Sequence, residues 1–354
     1  MLHLDNRSPY GAGLFPGWSQ TRRFQETLVV KAGFRFDAGG QLAPLNPPPA
    51  IETADEHYGP PLKTSLAAVA EVMPFKMGGE LYVYGTAQPP PHARVMEVEL
   101  GLEGNGRALW KNTLRITGKR TWRRKMFGLE PTDPEVLTPV PLRYELAYGG
   151  CNEHAGHETD WRNPVGTGYT KAQRAQGMAL PQIEGEGRFL SRPGDAVRPA
   201  GWGPLASFWS PRRELHAKPH VAAARTPECP YGQHVPPDFF NVAPAALRFA
   251  RAFQAGDRLS LRGLVRDVAY AGRVALELPD LRLSAVLTEG RAERAVPLSC
   301  DTLIVDCDQQ TLCLVLRGAI DARPLDPVNR YVRVEGQSLF LAVNEGVAAA
   351  ELAT

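Results

Sequence analysis

A short segment in the middle of the chain combines residue types that bind transition metals. Cys151, His154 and His157 are close together and are followed by Asp160. Thiolate, imidazole and carboxylate groups at such short spacing suit the tetrahedral coordination of Zn²⁺. No C-x-x-C or H-E-x-x-H pattern accompanies them, and a polar surface loop explains the same residues. We therefore predict that no metal is bound. If one were bound, Cys151, His154 and His157 would be the candidate ligands.

Patterns typical of enzymes do not occur in the sequence. There is no G-x-S-x-G nucleophile elbow, and no cysteine stands in a recognisable protease context. The adjacent pair Asp55-Glu56 is more typical of a solvated or capping pair than of acid–base catalysis. The glycine-rich stretch 101–106 lacks the Gly-Lys-Ser/Thr signature of a phosphate loop and indicates a hairpin turn. We predict no catalytic residue and no cofactor, so the chain is not expected to be an enzyme.

The charge balance argues against nucleic acid and membrane partners. The 40 basic and 38 acidic side chains give a net charge of +2 with neutral histidines, which offers no general electrostatic attraction to phosphate or acidic lipid. The densest basic run, residues 119–125, also contains Trp122, and a solvated strand face or an acidic protein partner explains it better.

Apolar runs and cysteines indicate the cellular location of the chain. No stretch approaches the roughly 20 apolar residues of a membrane helix, and the first residues lack the pattern of a signal peptide. The five cysteines are odd in number and include no C-x-x-C, as is typical of reduced thiols. We expect a cytoplasmic protein.

Alternating apolar and polar residues dominate the predicted elements. On one segment Leu28, Val30 and Phe34 share a face, while Lys31 and Arg35 lie on the other. The same period recurs near residues 80–84, 96–103, 110–116, 258–262, 273–278, 303–305 and 312–316. Strands of this kind bury one face and expose the other, as in antiparallel sheets. With 34 glycines and 32 prolines for turns, the pattern predicts an all-β fold, mainly an antiparallel sandwich or barrel-like packing.

The pattern divides the chain into three parts. Residues 1–148 and 245–354 are β-rich, and residues 149–244 form an irregular segment rich in Gly, Pro and Trp. We expect that segment to be ordered, because its aromatic side chains offer burial that offsets the entropy of ordering. Helices are few: one is predicted from Pro244 to Phe253, and the Ala-rich C-terminal end is compatible with another.

Short motifs occur in a fixed order through the middle of the chain. They are Tyr148-Gly149-Gly150, Asn163-Pro164-Val165-Gly166-Thr167-Gly168, Leu180-Pro181-Gln182-Ile183-Glu184, Gly201-Trp202-Gly203-Pro204, Trp209-Ser210-Pro211-Arg212 and Pro237-Asp238-Phe239-Phe240-Asn241-Val242-Ala243-Pro244. In order and spacing the chain resembles the domain-of-unknown-function 2169 family of bacterial type VI secretion accessory proteins, over about residues 14 to 320. After Arg212 the family usually continues with an A-G-T-Y-D-like stretch, and this chain reads Arg213-Glu214-Leu215-His216 instead, so the identity of the partner does not carry over.

The resemblance implies an adaptor or chaperone rather than an enzyme. Such a protein binds a toxin effector, or the PAAR-type tip protein that carries it, and helps to load it onto the VgrG spike. No cofactor is implied. Two alternatives stay open on the sequence: a β-sandwich hydrolase, and a module that binds carbohydrate or another small ligand.

The motif residues themselves allow two interpretations. Glycine, proline and tryptophan can serve the architecture by forming turns and filling a small core. Exposed members can instead anchor a partner, because Trp and Arg are enriched at binding hot spots. The predicted partner-binding residues are Trp202, Trp209, Arg212, Phe239, Phe240 and Asn163.

Overall fold

A computed structural model describes most of the chain, and its architecture is all-β. The described residues are 2–21, 23–126, 128–152, 158–170, 175–187, 189–195, 197–210, 212–216, 236–266, 272–321 and 330–336. Among them, helical structure is limited to the short helix α1 (Arg212–His216) and 3-10 turns at Tyr144–Leu146, Pro237–Phe240 and Ala245–Leu247. The predicted all-β class is confirmed.

The first part of the chain forms thirteen strands, many of them short. They are β1 (His3–Asn6), β2 (Gly11–Trp18), β3 (Phe24–Phe36), β4 (Leu42–Pro44), β5 (Glu56–His57), β6 (Leu66–Ala68), β7 (Gly79–Tyr84), β8 (Thr86–Ala87), β9 (Val95–Gly104), β10 (Arg107–Thr117), β11 (Trp122–Lys125), β12 (Gly128–Pro131) and β13 (Val140–Pro141).

The remaining strands lie in the irregular segment and in the C-terminal part. They are β14 (Tyr148–Asn152), β15 (Glu158–Asp160), β16 (Thr167–Gly168), β17 (Ile183–Gly185), β18 (Arg248–Phe249), β19 (Arg258–Arg262), β20 (Arg273–Glu277), β21 (Ser284–Glu289), β22 (Ala292–Ala295), β23 (Ser299–Asp306), β24 (Thr311–Asp321) and β25 (Arg330–Glu335).

The largest sheet mixes strands from both ends of the chain. Its order is β18-β7-β23-β24-β3-β2, with β4 also paired to β3. The long strands β3 and β24 run antiparallel with Phe34 opposite Leu312, whereas β7 and β23 run parallel with Leu81 opposite Leu303. The two β-rich parts of the sequence therefore share one sheet instead of forming a sheet each.

Two smaller sheets repeat this mixing. One has the order β17-β10-β9-β19-β20, and the other has the order β1-β25-β21-β22. In the first, β9 and β10 form a hairpin whose turn is Asn105-Gly106, the dipeptide that tight hairpins favour. The predicted hairpin turn is confirmed at Asn105-Gly106, whereas residues 101–104 belong to β9.

Apolar side chains of these three sheets meet in one continuous core. It joins Leu28 and Phe34 of β3 to Leu100 of β9 and to Leu287 and Val332 of the four-stranded sheet. A second, smaller cluster lies around Trp122, with Tyr148, Leu180 and Leu190. The irregular segment contributes to both clusters, so the aromatic and aliphatic residues of the described middle part pack as structure.

The alternation predicts the strands well but misjudges their polar faces. Arg35 is exposed as expected, whereas Lys31, Glu80 and Tyr82 are buried. The second face of β3 is covered near Lys31, whose ammonium bonds the Ala50 carbonyl at 2.9 Å. The second face of β7 is covered by the irregular segment, as described below. Polar residues that alternate with apolar ones here satisfy buried partners rather than water.

The helix predicted from Pro244 to Phe253 is wrong. A single 3-10 turn at Ala245–Leu247 is followed by β18, in which Arg248 and Phe249 pair with Glu80 and Gly79 of β7. Sheet pairing overrides the weak local helical preference. The predicted Ala-rich C-terminal helix lies outside the described residues. Within the described part of the chain, no helix has the length and apolar composition needed to cross a bilayer.

Candidate functional site

The motif at residues 237–244 is fixed to the large sheet by one buried carboxylate. Glu80 on β7 is completely buried. One of its oxygens, Oε2, accepts hydrogen bonds from the backbone amides of Val242 (2.8 Å) and Ala243 (3.1 Å). The other, Oε1, accepts from the Lys76 ammonium and the Tyr82 hydroxyl. The motif is therefore bonded to the middle of a sheet strand that precedes it by about 160 residues.

The charges around Glu80 are balanced inside the protein. Burial alone would raise the pKa of Glu80, but the Lys76 charge and the hydrogen bonds from Lys76, Tyr82 and Ala243 hold that pKa below its ordinary value. Lys76 also donates to the Phe240 carbonyl at 2.6 Å. Because each group is paired, this cluster stabilises the junction and leaves no reactive carboxyl group.

Arg212 ties the two aromatic motifs together. Its Nη1 donates to the Leu205 carbonyl at 2.8 Å, and its Nε and Nη2 donate to the Phe239 carbonyl at 3.3 Å. The side chain is buried, which lowers the pKa of its guanidinium. The same guanidinium lies 5.0 Å from the centre of the Phe239 ring. Arg212 acts as an internal link between loops.

Trp202 and Trp209 are both 0% exposed. The indole nitrogen of Trp202 donates to Asn112 Oδ1 at 2.7 Å, and the Trp209 ring packs edge-on against the Tyr144 ring at 5.3 Å. The prediction that Trp202 and Trp209 anchor a partner required both side chains to be exposed. That requirement is not met, because both indoles fill the core beneath the loops. Their burial agrees with the architectural interpretation of these motifs.

The same correction applies to three of the other four predicted partner residues. Arg212, Phe240 and Asn163 are buried, and Phe239 alone keeps partial exposure. Phe240 packs edge-on against Phe75 at 4.9 Å. Direct contact of Phe239 with a partner stays a prediction.

Asn163 organises the tight loop that the Tyr-Gly-Gly motif begins. Its side-chain amide donates to the backbone carbonyls of Tyr144 (2.8 Å) and Tyr148 (3.1 Å). The backbone carbonyl of Asn163 accepts from the backbone amide of Gly150 at 2.8 Å. Gly149 has φ +145° and lies so close that an added Cβ would be 2.2 Å from the Asn163 carbonyl oxygen. Only glycine fits that position, since any side chain would displace the loop.

The metal prediction is only partly addressed by the described residues. Cys151 is exposed, and its sulfur accepts a hydrogen bond from the Thr159 hydroxyl at 3.1 Å. His154 and His157 lie outside the described residues. Within the described ranges, no group of three His, Cys, Asp or Glu side chains is arranged to hold a metal ion. The absence of a metal stays a prediction.

A cleft of about 680 Å³ opens beside these buried motifs. It is lined by residues of β10 and of the end of β17, and by residues next to Trp202, next to Trp209 and at the end of the 237–244 motif. Its apolar lining includes Leu114, Leu205 and Ala245. Its charged lining is balanced, with Arg162, Arg198, Glu186 and Glu214. A concave cleft with a mixed lining is compatible with a small ligand and with a polypeptide segment.

Two arginine–aromatic pairs contain residues that adjoin the cleft lining along the chain. The Arg213 guanidinium lies 4.5 Å from the centre of the Trp161 ring, which is 46% exposed. The Arg115 guanidinium lies 3.9 Å from the Phe189 ring, which is 42% exposed. Trp161 and Arg213 are chain neighbours of the lining residues Arg162 and Glu214. The half-exposed Trp161 ring with the Arg213 guanidinium beside it has the residue types that are enriched at interface anchors.

Sequence reasoning missed the residues that matter most in this arrangement. The alternation near residues 80–84 predicts a solvated polar face, whereas Glu80 on that face is buried, and no sequence motif distinguishes Trp161. A glutamate directly before the apolar and aromatic run Leu81–Tyr84 was the available signal for a buried partner. No comparable signal distinguished the exposed Trp161 from the buried Trp202 and Trp209, because residue type alone does not reveal burial.

The arrangement defines an all-β protein in which loops are bonded to a sheet and frame a mixed apolar and charged cleft. A family of uncharacterized proteins conserved in bacteria (DUF2169) matches residues 21–317, and the chain belongs to that family. Comparisons with curated proteins and with solved structures gave no match.

Proposed function

We propose that this chain is an adaptor of type VI secretion. It binds a toxin effector, or the PAAR-type protein that carries the effector, in the cytoplasm and helps to load it onto the VgrG spike. The secretion role rests on the resemblance of the ordered motifs to the accessory family. The binding role is supported by a single structural observation, the cleft of about 680 Å³ that those motifs frame.

The lining favours an extended polypeptide segment as the bound group. Leu114, Leu205 and Ala245 offer apolar contact, and two arginines and two glutamates also line the cleft. The lining includes no histidine and no cysteine among the described residues. Binding of a polypeptide is the activity proposed for this cleft.

Trp161 and Arg213 are the proposed anchors of the interface. Both are accessible, and their ring–guanidinium stack holds them in place at little further entropic cost on binding. Truncation of an aromatic anchor typically costs a few kcal/mol of binding energy. We therefore expect Trp161→Ala to weaken effector binding by about tenfold to a hundredfold.

The test measures binding of the full chain to the effector or PAAR-type protein encoded beside it. Trp161→Ala and Arg213→Ala are compared with Leu62→Ala, because Leu62 is exposed and, unlike Trp161 and Arg213, is not a chain neighbour of any residue that lines the cleft. Equal affinities of wild type, Trp161→Ala and Leu62→Ala would contradict the cleft as the interface. Deletion of the chain in the producing cell, with effector level, spike association and toxin delivery all unchanged, would contradict the adaptor role.

A further inference from the structure

The strand β22 is an exposed edge of the four-stranded sheet. All four of its residues, Ala292 to Ala295, are exposed. Among the described strands, β21 alone pairs with it. The two strands are joined by the turn Gly290-Arg291, which sets the register with Glu289 opposite Ala292.

The direction of each backbone group on β22 follows from that register. The Val296 amide donates to the Ala285 carbonyl at 2.8 Å, so residues 285 and 296 form a hydrogen-bonded pair. Because hydrogen-bonded and non-bonded pairs alternate in an antiparallel ladder, Arg294 and Ala292 bond inward to β21. The amide and carbonyl groups of Glu293 and Ala295 therefore point outward, where a further strand would bind them.

The charges on β22 oppose pairing with a second copy of this chain. A two-fold axis at Arg294 would set two arginines face to face, and one at Glu293 would set two glutamates face to face. An axis at Ala295 would place Glu293 opposite Pro297, which has no amide hydrogen to donate. The two-fold registers centred on Glu293, Arg294 and Ala295 are thus penalised, as is usual for edges that avoid self-association.

A heterologous strand with the opposite charge meets no such penalty. Arg294 would occupy a non-hydrogen-bonded position toward an added strand, where facing side chains come closest. We propose that β22 receives an extended segment of a protein partner as an added antiparallel strand, with a carboxylate of that segment opposite Arg294. This surface is separate from the cleft, so it is tested independently of the proposed function.

The test uses proline to remove one outward amide at a time. Glu293→Pro and Ala295→Pro each delete an outward N–H without breaking a bond to β21, and proline is tolerated at such edge positions. Glu293→Ala is the matched control, because it removes the same side chain and its 3.6 Å contact with Arg333 but keeps the N–H. Melting curves establish that each variant is folded.

The probes are synthetic peptides of about nine alternating Thr and Val residues with Asp, Lys or Ser at the centre. Binding to the full chain is measured by the chemical shifts and exchange rates of the Glu293 and Ala295 amides. We expect the Asp peptide to bind about fivefold more tightly than the Lys peptide, and Arg294→Glu to reverse that order. Both proline variants should lose binding, and Glu293→Ala should keep it.

Three results would overturn the proposal. The first is equal binding of the Asp peptide by Glu293→Pro and Glu293→Ala. The second is no binding of any peptide by the wild type at about 1 mM. The third is a wild-type dimer that Glu293→Pro abolishes, which would assign the edge to a second copy. If the proline variants fail to fold, the reversal of charge preference by Arg294→Glu decides the matter alone.

Discussion

At the scale of single residues, Arg212 and Arg213 show how neighbouring side chains of one type take different roles. Arg212 is buried and bonds the Leu205 and Phe239 carbonyls, whereas Arg213 is exposed over Trp161. Removal of Arg212 leaves two carbonyls without their donors and opens a space in a packed region. We expect Arg212→Ala to lower the free energy of unfolding by about 3 kcal/mol.

Urea denaturation of the full chain measures this effect, and Arg213→Ala is the matched control. The exposed arginine should contribute less than about 0.5 kcal/mol to stability, while it contributes to partner binding as proposed. Equal stability losses in the two variants would show that the buried links of Arg212 do not hold the aromatic motifs together.

At the scale of elements, the turn between β3 and β4 protects the edge of another sheet. The backbone amide of Leu278 donates to the backbone carbonyl of Asp257 at 2.8 Å. Because hydrogen-bonded and non-bonded pairs alternate along β19 and β20, the backbone groups of Ala275 point outward. Gly40 lies against that outward side, because a Cβ added there would be 2.1 Å from the Ala275 carbonyl oxygen. The turn thus covers the centre of β20, in contrast to the exposed edge of β22.

Gly40→Ala tests this contact. Gly256 is the matched control, since both glycines have φ +82° and only Gly40 has a neighbour within 4 Å of the added Cβ. The backbone conformation costs Ala about 1–2 kcal/mol at either position. The clash at Gly40 should add about 2 kcal/mol more, seen as a lower melting temperature of Gly40→Ala than of Gly256→Ala. Equal melting temperatures would show that the turn does not press on β20.

Elements were also the level at which the sequence was most informative. Alternation predicts β3, β9 and β10, because a strand between a core and a polar face repeats every two residues. It fails for the polar face of β7, since Glu80 is paired with residues about 160 positions away. The cleft was not predicted for the same reason. Its lining joins β10, residues near Gly201 and the 245–246 turn, and no local pattern links them.

At the scale of the whole molecule, the three sheets cannot be divided along the chain. The pairs β1–β25, β3–β24, β7–β23 and β9–β19 each join the N-terminal part to the C-terminal part. A fragment of residues 1–148 lacks the partners of all its long strands except those within the β2–β3 and β9–β10 hairpins. We expect this fragment, and residues 245–354 alone, to show no cooperative thermal transition by circular dichroism.

Co-expression of residues 1–244 with residues 245–354 is the control for that experiment. The two pieces together contain every strand, so they should associate and melt cooperatively, although below the intact chain because association costs entropy. A cooperative transition of residues 1–148 alone would contradict the shared architecture of the sheets.

The pairing of β3 with β24 also imposes a delay between the synthesis of β3 and the synthesis of its partner strand. Residue 24 leaves the ribosome long before residue 321, and elongation at about 5–20 residues per second separates the two strands by tens of seconds. During that interval Leu28, Val30 and Phe34 have no partner on one side of their strand. Each newly made molecule therefore passes through an intermediate with exposed apolar side chains, and the rate of translation sets the lifetime of that intermediate. The yield of native protein then depends on how well the cell protects the nascent strand from aggregation.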